Sequence, residues 1–299
     1  MTLDDLRVFV AVCEAENLSA VARGLSCTQS AVSQHIKRLE RELGLVLLER
    51  RPRGVVPTGA GRVLYRAAAD GIAGLTDAAR QLDELRRGGG GTVRIITGAT
   101  SVRHFMADAV ASFRAKYPDV ALEFQTENAS RNCIDAVHSH HADLAWITVG
   151  APIEAVEQRP VLELPWVLAV RRDDPLAARE TIHPADLATI RHIQLPENST
   201  SRRALDEHLA GHHIRLASST SVADWDTALL LAELGLGHAI VPALPAWRRG
   251  GHDTVRLIPI PELPALTAGW ATRQWKALSP LAAAFADTVV TALEENTWA

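Results

Sequence analysis

Two short amphipathic segments between residues 18 and 43 predict a pair of consecutive helices. The apolar positions of the first segment recur at helical spacing and are Leu18, Val21, Ala22 and Leu25. Those of the second segment recur in the same way and are Val32, Ile36, Leu39 and Leu43. A hydroxyl-rich break at residues 26–28 separates them and ends in Thr28, a residue type that caps helix starts. Two helices joined by so tight a turn predict a helix-turn-helix.

The second helix carries short polar and basic side chains on the face that is not used for burial. These residues are Gln29, Ser30, Ser33, Gln34 and Lys37. Amide, hydroxyl and ammonium groups hydrogen-bond to base edges and phosphates in the major groove of DNA. The motif therefore favours DNA binding, and the alternative left by the motif alone is an ordinary solvated amphipathic helix.

A basic ribbon follows the helix-turn-helix. Residues 46–48 are apolar and β-prone, residues 55–56 resume that pattern, and the intervening turn contains Arg50, Arg51 and Arg53. Two short strands with an arginine-rich tip predict a wing that reaches flanking phosphates or the minor groove. A solvated charged turn is the alternative.

Residues 59–87 predict one long helix with a dimerisation seam. Its small and apolar side chains recur at alternating spacings of four and three, at Leu64, Ala68, Gly71, Leu75, Ala78, Leu82 and Leu85. A second copy of the helix would cover this seam, and a two-fold dimer suits palindromic DNA half-sites. Packing of the seam on the chain's own body is the alternative. Four glycines at 88–91 then predict a flexible hinge.

Residues 92–299 alternate short apolar strands with helices, which predicts a parallel, doubly wound α/β domain. Strands are expected at 93–98, 120–126, 143–149, 165–172, 192–195, 214–218, 238–242, 254–260 and 266–273. Helices are expected at 101–117, 130–139, 201–210, 223–234 and 280–296. The chain is expected to form two lobes, lobe I at about 92–161 and 266–299 and lobe II at about 162–265. A ligand cleft is expected between them, beyond the carboxyl ends of the strands.

Composition and charge limit the possible functions. The 299 residues are 47% hydrophobic and 22% charged, with a net charge of −4, which argues against a protein that coats nucleic acid over its whole surface. Residues 1–91 hold 13 Lys and Arg against 11 Asp and Glu, a net of +2, so phosphate contact is expected in that part. Three scattered cysteines form no disulfide framework, although Cys133 alone could be a thiol sensor. No signal peptide or membrane-spanning run is present, so the cytoplasm is the expected location.

Taken together, these features resemble the LysR-type transcriptional regulators over the full length of the chain. The matching positions in the N-terminal part are residues 9, 20–22, 25, 29–33, 36, 39–40, 43–44, 47–48, 50, 58 and 61, and residues 234–242 match a late helix-to-strand turn. The family more often has Leu-Phe where this chain has Leu47 and Leu48. The resemblance implies an α/β protein with an all-α N-terminal part. Its parts would be a winged helix-turn-helix (1–58), a dimerising linker helix (59–87) and a two-lobed effector domain similar to periplasmic binding proteins (92–299).

The resemblance also implies site residues and partners. The DNA-contacting positions fall on Thr28, Gln29, Ser30, Ser33, Gln34 and Lys37, with Arg51 and Arg53 in the wing. Strand-to-helix turns line the effector cleft and supply Thr100, Ser101, Glu127, Asn128, Trp146, Thr148, Ser199, Thr200, Ser201, Arg202, Val222 and Asp224. The hydroxyls and Arg202 suit a carboxylate, and the two acids suit a cationic group, so the expected effector is a carboxylate or an amino acid. Trp146 and Trp225 would be an aromatic wall or part of the core.

The implied partners are double-stranded DNA, further copies of the chain in a homodimer or homotetramer, and RNA polymerase. No metal or cofactor is implied. A ligand that closes the cleft would change the relative position of the two DNA-binding heads of a dimer, which the 88–91 hinge joins to the effector domains. Two other functions remain open: a small-molecule-binding module whose head contacts a protein, and a metalloenzyme built on the histidines at 138–141 and 208–213. Surface histidines are the favoured interpretation of those two segments, and no nucleophile-elbow or phosphate-loop motif occurs, so an enzyme is not expected.

Overall fold

The computed structural model describes residues 1–52, 54–86, 90–244, 247 and 254–297, apart from the side chains of 84, 85, 219, 296 and 297. The chain divides into two compact units, Met1–Asp83 and Glu84–Ala299. The first is helical with one hairpin, and the second is α/β. No helix within the described ranges is long and apolar enough to cross a membrane.

Three capped helices form the head of the first unit. They are α1 (Leu3–Ala15), α2 (Leu18–Gly24) and α3 (Gln29–Leu43), which begin after the capping side chains of Thr2, Asn17 and Thr28. Their apolar faces meet in a core that includes Phe9, Val12, Val21, Val32 and Leu39. The helix-turn-helix prediction is confirmed. Leu25 and Leu43 were expected in this core but are 50% and 40% exposed, because each lies at the C-terminal end of its helix.

A two-stranded antiparallel ribbon follows the head, as the sequence predicts for a wing. Its strands are β1 (Leu48–Arg51) and β2 (Gly54–Pro57), and Arg51 pairs with Gly54 at the tip. Val55 N donates to Glu16 O at 2.9 Å, and a Cβ on residue 54 would lie 2.2 Å from that oxygen. A glycine is therefore required where the ribbon rests on the end of α1. Arg53 lies outside the described residues.

The long helix α4 (Gly59–Arg86) confirms the predicted single helix. Thr58 starts it, since its Oγ1 accepts from Gly61 N at 3.0 Å and donates to Val46 O at 2.8 Å. In the predicted seam, Leu64 packs against the head core and Ala68 is buried. Farther along, Leu75 and Leu82 are 58% and 67% exposed, and Gly71 and Ala78 are also exposed. The side chain of Leu85, the last predicted helix residue at 87 and the predicted hinge residues 88 and 89 are outside the described part of the chain.

The second unit begins with a strand–helix series. Its elements are β3 (Thr92–Thr97), α5 (Ala99–Ser101), a π-helical turn (Val102–Met106), α6 (Ala107–Lys116), β4 (Ala121–Thr126), α7 (Ser130–His138), β5 (Leu144–Thr148) and β6 (Glu157–Leu164). The chain then forms β7 (Trp166–Arg171), two 3-10 turns (Pro175–Ala178 and Pro184–Thr189), β8 (Arg191–Gln194), α8 (Thr200–Gly211), β9 (Ala217–Ser221), α9 (Trp225–Glu233), β10 (Ala239–Pro242) and β11 (Val255–Pro259). It ends with β12 (Leu266–Thr272), a 3-10 turn (Trp275–Ala277) and α10 (Pro280–Thr297).

These strands build the two lobes. The sheet of lobe I has the order β4-β3-β5-β12-β6. Lobe II contains an antiparallel ribbon in the order β10-β7-β11 and a parallel pair, β8-β9. Hydrogen bonds from Ile193 N to His238 O and from His238 N to Arg191 O, both 2.8 Å, join this pair to β10. A Cβ on Gly237 would lie 2.6 Å from Arg191 O, so this junction needs a glycine.

The prediction of a parallel, doubly wound domain is wrong in part, because the sheets are mixed. β3 is parallel to β4 and β5, but β12 runs antiparallel between β5 and β6, and β7 is antiparallel to both of its neighbours. The strand expected at 214–218 lies instead at Ala217–Ser221.

The sequence prediction also omitted β6. This strand contains Pro160, and proline is tolerated in a strand only at a sheet edge or a bulge. Both conditions hold here, since β6 is the edge strand and its register with β12 shifts between Ala268 and Gly269. The five-stranded sheet therefore extends to Leu164, three residues past the boundary expected for lobe I.

Candidate functional site

The predicted recognition surface of the head lies on the solvent-facing side of α3. Gln29, Ser30, Gln34 and Lys37 are exposed there, and Ser33 is half-buried. The opposite side buries Val32, Ile36 and Leu39 in the head core. Thr28 has a structural task, because its Oγ1 accepts from Ala31 N at 3.1 Å.

A buried carboxylate fixes α3 against α1. Asp5 is fully buried, and its Oδ1 lies 2.7 Å from His35 Nδ1 and 3.3 Å from Arg38 Nη1. Burial opposes ionisation of Asp5, but the hydrogen bonds from His35 and Thr2 and the charge of Arg38 outweigh it and lower its pKa to about 2. The carboxylate is therefore charged at neutral pH and ties the recognition helix to the first helix through two side chains of α3.

Arg51 lies in the wing, at the end of β1. Its guanidinium is 62% exposed and is 3.1 Å from the carboxylate of Glu49 on the same strand. An exposed pair of this kind contributes little to stability, so Arg51 can exchange Glu49 for a phosphate. Leu47 N and Leu48 N donate to Glu40 Oε1 at 2.9 and 3.4 Å, which holds the start of the wing against α3.

The second unit contains a cleft between its lobes with about 690 Å³ of empty space, part of it open to solvent. The turns after β3, β4 and β5 form one wall, because parallel strands end at the same edge of the sheet. The turns that lead into α8 and α9 form the other. Ten predicted effector residues line the cleft, namely Thr100, Ser101, Glu127, Asn128, Trp146, Thr148, Ser199, Thr200, Ser201 and Asp224.

Helix starts from both lobes meet in this cleft. Ser130 N, at the start of α7, donates to Thr200 Oγ1 at the start of α8 across 3.3 Å. Thr148 N donates to Ser130 Oγ at 3.2 Å, and Ser199 Oγ lies 3.0 Å from Ser201 Oγ. Thr100 is 6% exposed, and its Oγ1 has no hydrogen-bond partner among the described residues. The unpaired hydroxyl of Thr100, among helix starts that carry further hydroxyl groups, favours a ligand with acceptor oxygens.

The rest of the cleft wall is apolar. Phe105, Leu164 and Leu266 line it, and the Phe105 and Trp146 rings lie 5.4 Å apart between centroids. No basic side chain is found among the described residues that line the cleft. The arrangement suits a small molecule with an apolar body and a polar head.

Two predicted effector residues lie elsewhere, which corrects the sequence prediction. Arg202 does not line the cleft, because its Nη1 donates to Leu195 O at 2.8 Å and its Nε faces Asp206 at 3.4 Å. Val222 packs against the core and donates its N–H to Gln194 O. Asp224 lines the cleft, but it caps α9 by accepting from Thr227 N and Thr227 Oγ1 at 2.8 and 3.0 Å. The expected cation-binding role of Asp224 is therefore weakened.

Several cleft residues were not predicted from the sequence. Ser130 could have been found as a hydroxyl at the start of a helix that follows a strand. Leu164 and Leu266 gave no local signal, since the second is brought to the cleft from about 100 residues away in the chain. Cys133 also lines the cleft, where burial and the charge of Glu127 raise its pKa to about 12. Its thiol is protonated at neutral pH, which argues against the thiol-sensor alternative.

The histidine clusters do not form a metal site in the part of the chain that the structure describes, where no three His, Cys, Asp or Glu side chains are grouped to hold an ion. His141 Nδ1 lies 2.8 Å from Ser139 Oγ, and His140 contacts Arg273. The metalloenzyme alternative therefore has no assembled site among these residues.

A head with an exposed recognition helix, carried by a chain that also holds a two-lobed ligand cleft, has the organisation of a ligand-responsive DNA-binding regulator. Comparison with known proteins identifies the family. The model described as "Bacterial regulatory helix-turn-helix protein, lysR family" matches residues 3–62, and the model described as "LysR substrate binding domain" matches residues 86–294. The chain belongs to the LysR family of transcriptional regulators, whose members bind DNA and small-molecule effectors.

Individual relatives agree with this family. The uncharacterized HTH-type transcriptional regulator YbhD of Escherichia coli (strain K12) is 28% identical over 285 residues, 95% of this chain and 89% of that protein. The HTH-type transcriptional regulator BudR of Raoultella terrigena is 32% identical over 260 residues, 81% of this chain and 84% of that protein.

Solved structures share the fold. Full-length CbnR complexed with its target DNA has a TM-score of 0.64 at 20% identity, covering 98% of this chain and 100% of that chain. Full-length BenM has a TM-score of 0.61 at 21% identity, covering 99% of this chain and 98% of that chain.

Proposed function

We propose that two copies of this chain pair through α4 and place their two α3 helices in successive major grooves of an operator. Gln29, Ser30, Ser33 and Gln34 would read base edges, while Lys37 and the wing arginines would contact phosphates. The exposed Leu75 and Leu82 support pairing through the seam, since isolated chains seldom leave such a stripe uncovered. A dimer of dimers on adjacent sites and contact with RNA polymerase complete the proposed assembly.

We propose further that the cleft binds a small carboxylate with an apolar body. The observation that carries this proposal is the buried Thr100 Oγ1, which has no partner among the described residues and lies where the helix starts converge. A carboxylate oxygen would accept from this hydroxyl, and the rings of Phe105 and Trp146 would cover the body. The amino-acid alternative has less support, because Asp224 is committed to capping α9.

The ligand would act by a shift of population between two arrangements of the paired heads on DNA. Such a shift requires the ligand to bind one arrangement more tightly than the other. The hydrogen bond from Ser130 to Thr200 joins the lobes beside the cleft, so a ligand held there would favour the closed arrangement.

DNA binding is tested by fluorescence anisotropy of the full chain with a duplex from upstream of its own gene and a scrambled duplex of equal composition. Titrations at 50 and 200 mM salt should show weaker binding at the higher salt and tighter binding to the native duplex. Gln34→Ala should cost about 1–3 kcal/mol on the native duplex and less on the scrambled one. Lys37→Ala should weaken both duplexes alike. A lack of salt-dependent binding to either duplex would favour the protein-binding head instead.

Effector binding is tested by thermal shift and calorimetry of the full chain with butyrate, valerate, hexanoate and 3-phenylpropionate. A binder of the folded state raises the midpoint. Thr100→Val keeps the shape of the side chain and removes the hydroxyl, so it should weaken binding about tenfold. Thr291→Val is the matched control, since Thr291 Oγ1 bonds to Asp287 O within α10, away from the cleft. Equal binding by both variants would contradict the assigned role of Thr100.

A further inference from the structure

A second cavity adjoins the effector cleft on the lobe II side. This cavity, called the annex, lies between β8, β10, α8 and α9 and has about 300 Å³ of empty space. Leu195, Ser201 and Trp225 line both the cleft and the annex. The annex therefore shares a wall with the cleft, and it has room for about one water-sized group.

Two buried polar atoms of annex residues have no hydrogen-bond partner within the described part of the chain. They are Nε2 of His192, whose residue is 5% exposed, and Nε1 of Trp225. Buried polar groups are almost always hydrogen-bonded, because leaving one unpaired costs free energy. Most of the remaining wall is apolar, as at Trp166, Leu205 and Ile240. Its other polar side chains are Ser201 and Arg202, which already bond to Ser199 and to Leu195 and Asp206. His192 Nε2 and Trp225 Nε1 are therefore the polar atoms of the annex that are left to bind a polar group of a ligand.

The charge state of His192 specifies what kind of group this is. Burial, with the positive charges of Arg202 and His238 nearby, lowers the pKa of His192 to about 4, so the imidazole is neutral at pH 7. A neutral imidazole has one accepting nitrogen, whereas the indole Nε1–H only donates. A hydroxyl satisfies both atoms, since its oxygen accepts from Trp225 and its proton is donated to His192 in the tautomer protonated on Nδ1.

Arg202 belongs to the annex rather than to the cleft. It lines the annex wall, and its Nη1 holds Leu195 O at 2.8 Å at the junction of the two cavities. Its Nε faces Asp206 at 3.4 Å. The guanidinium thus bonds to protein groups and forms part of the annex wall. The atoms left to contact a ligand are those of His192 and Trp225.

We infer that the effector is a small hydroxy acid whose distal hydroxyl enters the annex between Trp225 Nε1 and His192 Nε2. This inference rests on the proposed function, because it takes the carboxylate end of the ligand to lie at Thr100. It adds a second recognition point, and it sets the class of effector apart from simple carboxylic acids of the same length.

Matched ligand pairs test the inference on the full chain. Calorimetry compares 4-hydroxybutyrate with butyrate, 5-hydroxyvalerate with valerate, 6-hydroxyhexanoate with hexanoate, and 3-(4-hydroxyphenyl)propionate with 3-phenylpropionate. At least one hydroxy acid should bind about tenfold or more tightly than its parent, because a site built around a hydroxyl discriminates strongly against the analogue that lacks it. Equal affinities within every pair would contradict hydroxyl binding in the annex and would leave the proposal of a carboxylate site in the cleft unaffected. No binding by any acid would overturn both.

Variants of the annex residues then show which side chains cause the preference for the hydroxy acid over its parent acid. Trp225→Phe keeps the aromatic wall and removes Nε1–H, and His192→Phe removes the acceptor from a residue that lines only the annex. Each should reduce the preference for the hydroxy acid to less than about twofold. Because His192 does not line the cleft, His192→Phe should also bind the parent acid as the wild type does. Trp275→Phe is the control, because Trp275 stacks on Arg159 outside both cavities. If Trp225→Phe removed the preference and a folded His192→Phe kept it, the hydroxyl would bind in the cleft and the annex assignment would be wrong.

Discussion

His104 Nε2 lies 2.7 Å from Asp226 Oδ1 and joins the two lobes directly beside the cleft. His104 belongs to the π-helical turn after β3 in lobe I, and Asp226 lies in the first turn of α9 in lobe II. The imidazole is 4% exposed and meets the Trp247 ring edge-on at 5.4 Å between centroids. Their chain neighbours Phe105 and Trp225 line the cleft, so this contact couples lobe closure to the cleft walls.

Asp226→Asn should weaken the contact between the lobes. The change removes the charge that faces the buried imidazole of His104. Leaving a buried polar group without its charged partner lowers the free energy of unfolding by about 1–3 kcal/mol. The melting temperature should fall, and small-angle scattering should show a larger radius of gyration without ligand. Asp173→Asn is the matched control, because Asp173 is 67% exposed and pairs with the exposed Arg171. A melting temperature unchanged from the wild type would show that the contact does not hold the lobes together.

The same contact predicts an acid-sensitive stability. Burial opposes ionisation of Asp226, but the hydrogen bond and charge of His104, with Arg103 nearby, outweigh it and lower the pKa of the carboxyl. A carboxyl group whose pKa is lowered by folding stabilises the folded protein fully above its ordinary pKa of 3.8. This stabilisation is lost as the pH falls below that value. The melting-temperature difference between wild type and Asp226→Asn should therefore be constant near neutral pH and shrink below 3.8. A difference that persisted undiminished at acid pH would contradict the assignment.

Asp5 should be the main carboxylate that stabilises the head. Asp5→Asn removes the charge that faces His35 and Arg38. Because these two partners are 28% and 50% exposed, the loss should be about 1–3 kcal/mol. Denaturant unfolding of the full chain should show the head transition at lower denaturant, and operator affinity should fall because α3 loses its tie to α1. Since the pKa of Asp5 is lowered to about 2 from 3.8, its contribution should be complete above pH 4 and lost between about 4 and 2.

Asp4→Asn provides a control one residue away from Asp5. Asp4 is 77% exposed and lies 3.7 Å from Arg7, also exposed, so this pair is worth well under about 1 kcal/mol. The two variants change the same charge at neighbouring positions of α1. Equal destabilisation by both would mean that the charge of the helix start, and not the buried contact with α3, accounts for the effect.

Local patterns predicted the helices of the head and most strands, because the burial of each element is periodic in its own sequence. The course of the sheets was less predictable. Pro160 argues against a strand at β6 when the sequence is considered alone. Pairing with β12 shows that β6 is an edge strand with a bulge, where a proline is tolerated. The antiparallel course of β12 also has no local signal, since it depends on the return of the chain from lobe II to lobe I.

The residues of the candidate site also divide into those that the local sequence predicts and those that it does not. Thr100 and Thr200 were predictable, because hydroxyls after a strand and at a helix start mark a ligand turn in α/β folds. Arg202 was misplaced, because its charge suggested a ligand whereas its guanidinium binds Leu195 O. The unpaired nitrogens of His192 and Trp225 could not be predicted at all, since a missing partner is a property of the packed interior.

Cys133 should be unreactive in the folded protein. Its thiol is buried, and its pKa is raised to about 12 by burial and by Glu127, so almost no thiolate is present at pH 8. Iodoacetamide followed by mass spectrometry should label Cys27, which is exposed in the helix-turn-helix turn, before Cys133. In denaturant, both should react alike. Modification of native Cys133 by iodoacetamide or by peroxide at the rate of Cys27 would reinstate a thiol-sensing role for the cleft.

The exposed part of the α4 seam should determine the oligomeric state. Leu75→Asp or Leu82→Asp places a charge on the face that we propose a second α4 covers, and burying an unpaired charge is strongly unfavourable. Light scattering coupled to size exclusion should show loss of the dimer, and operator affinity should fall, because one head binds a single half-site. Val63→Asp is the matched control, since Val63 is 73% exposed on α4 but lies off the seam. A dimer that withstood both seam charges would place the interface on another surface.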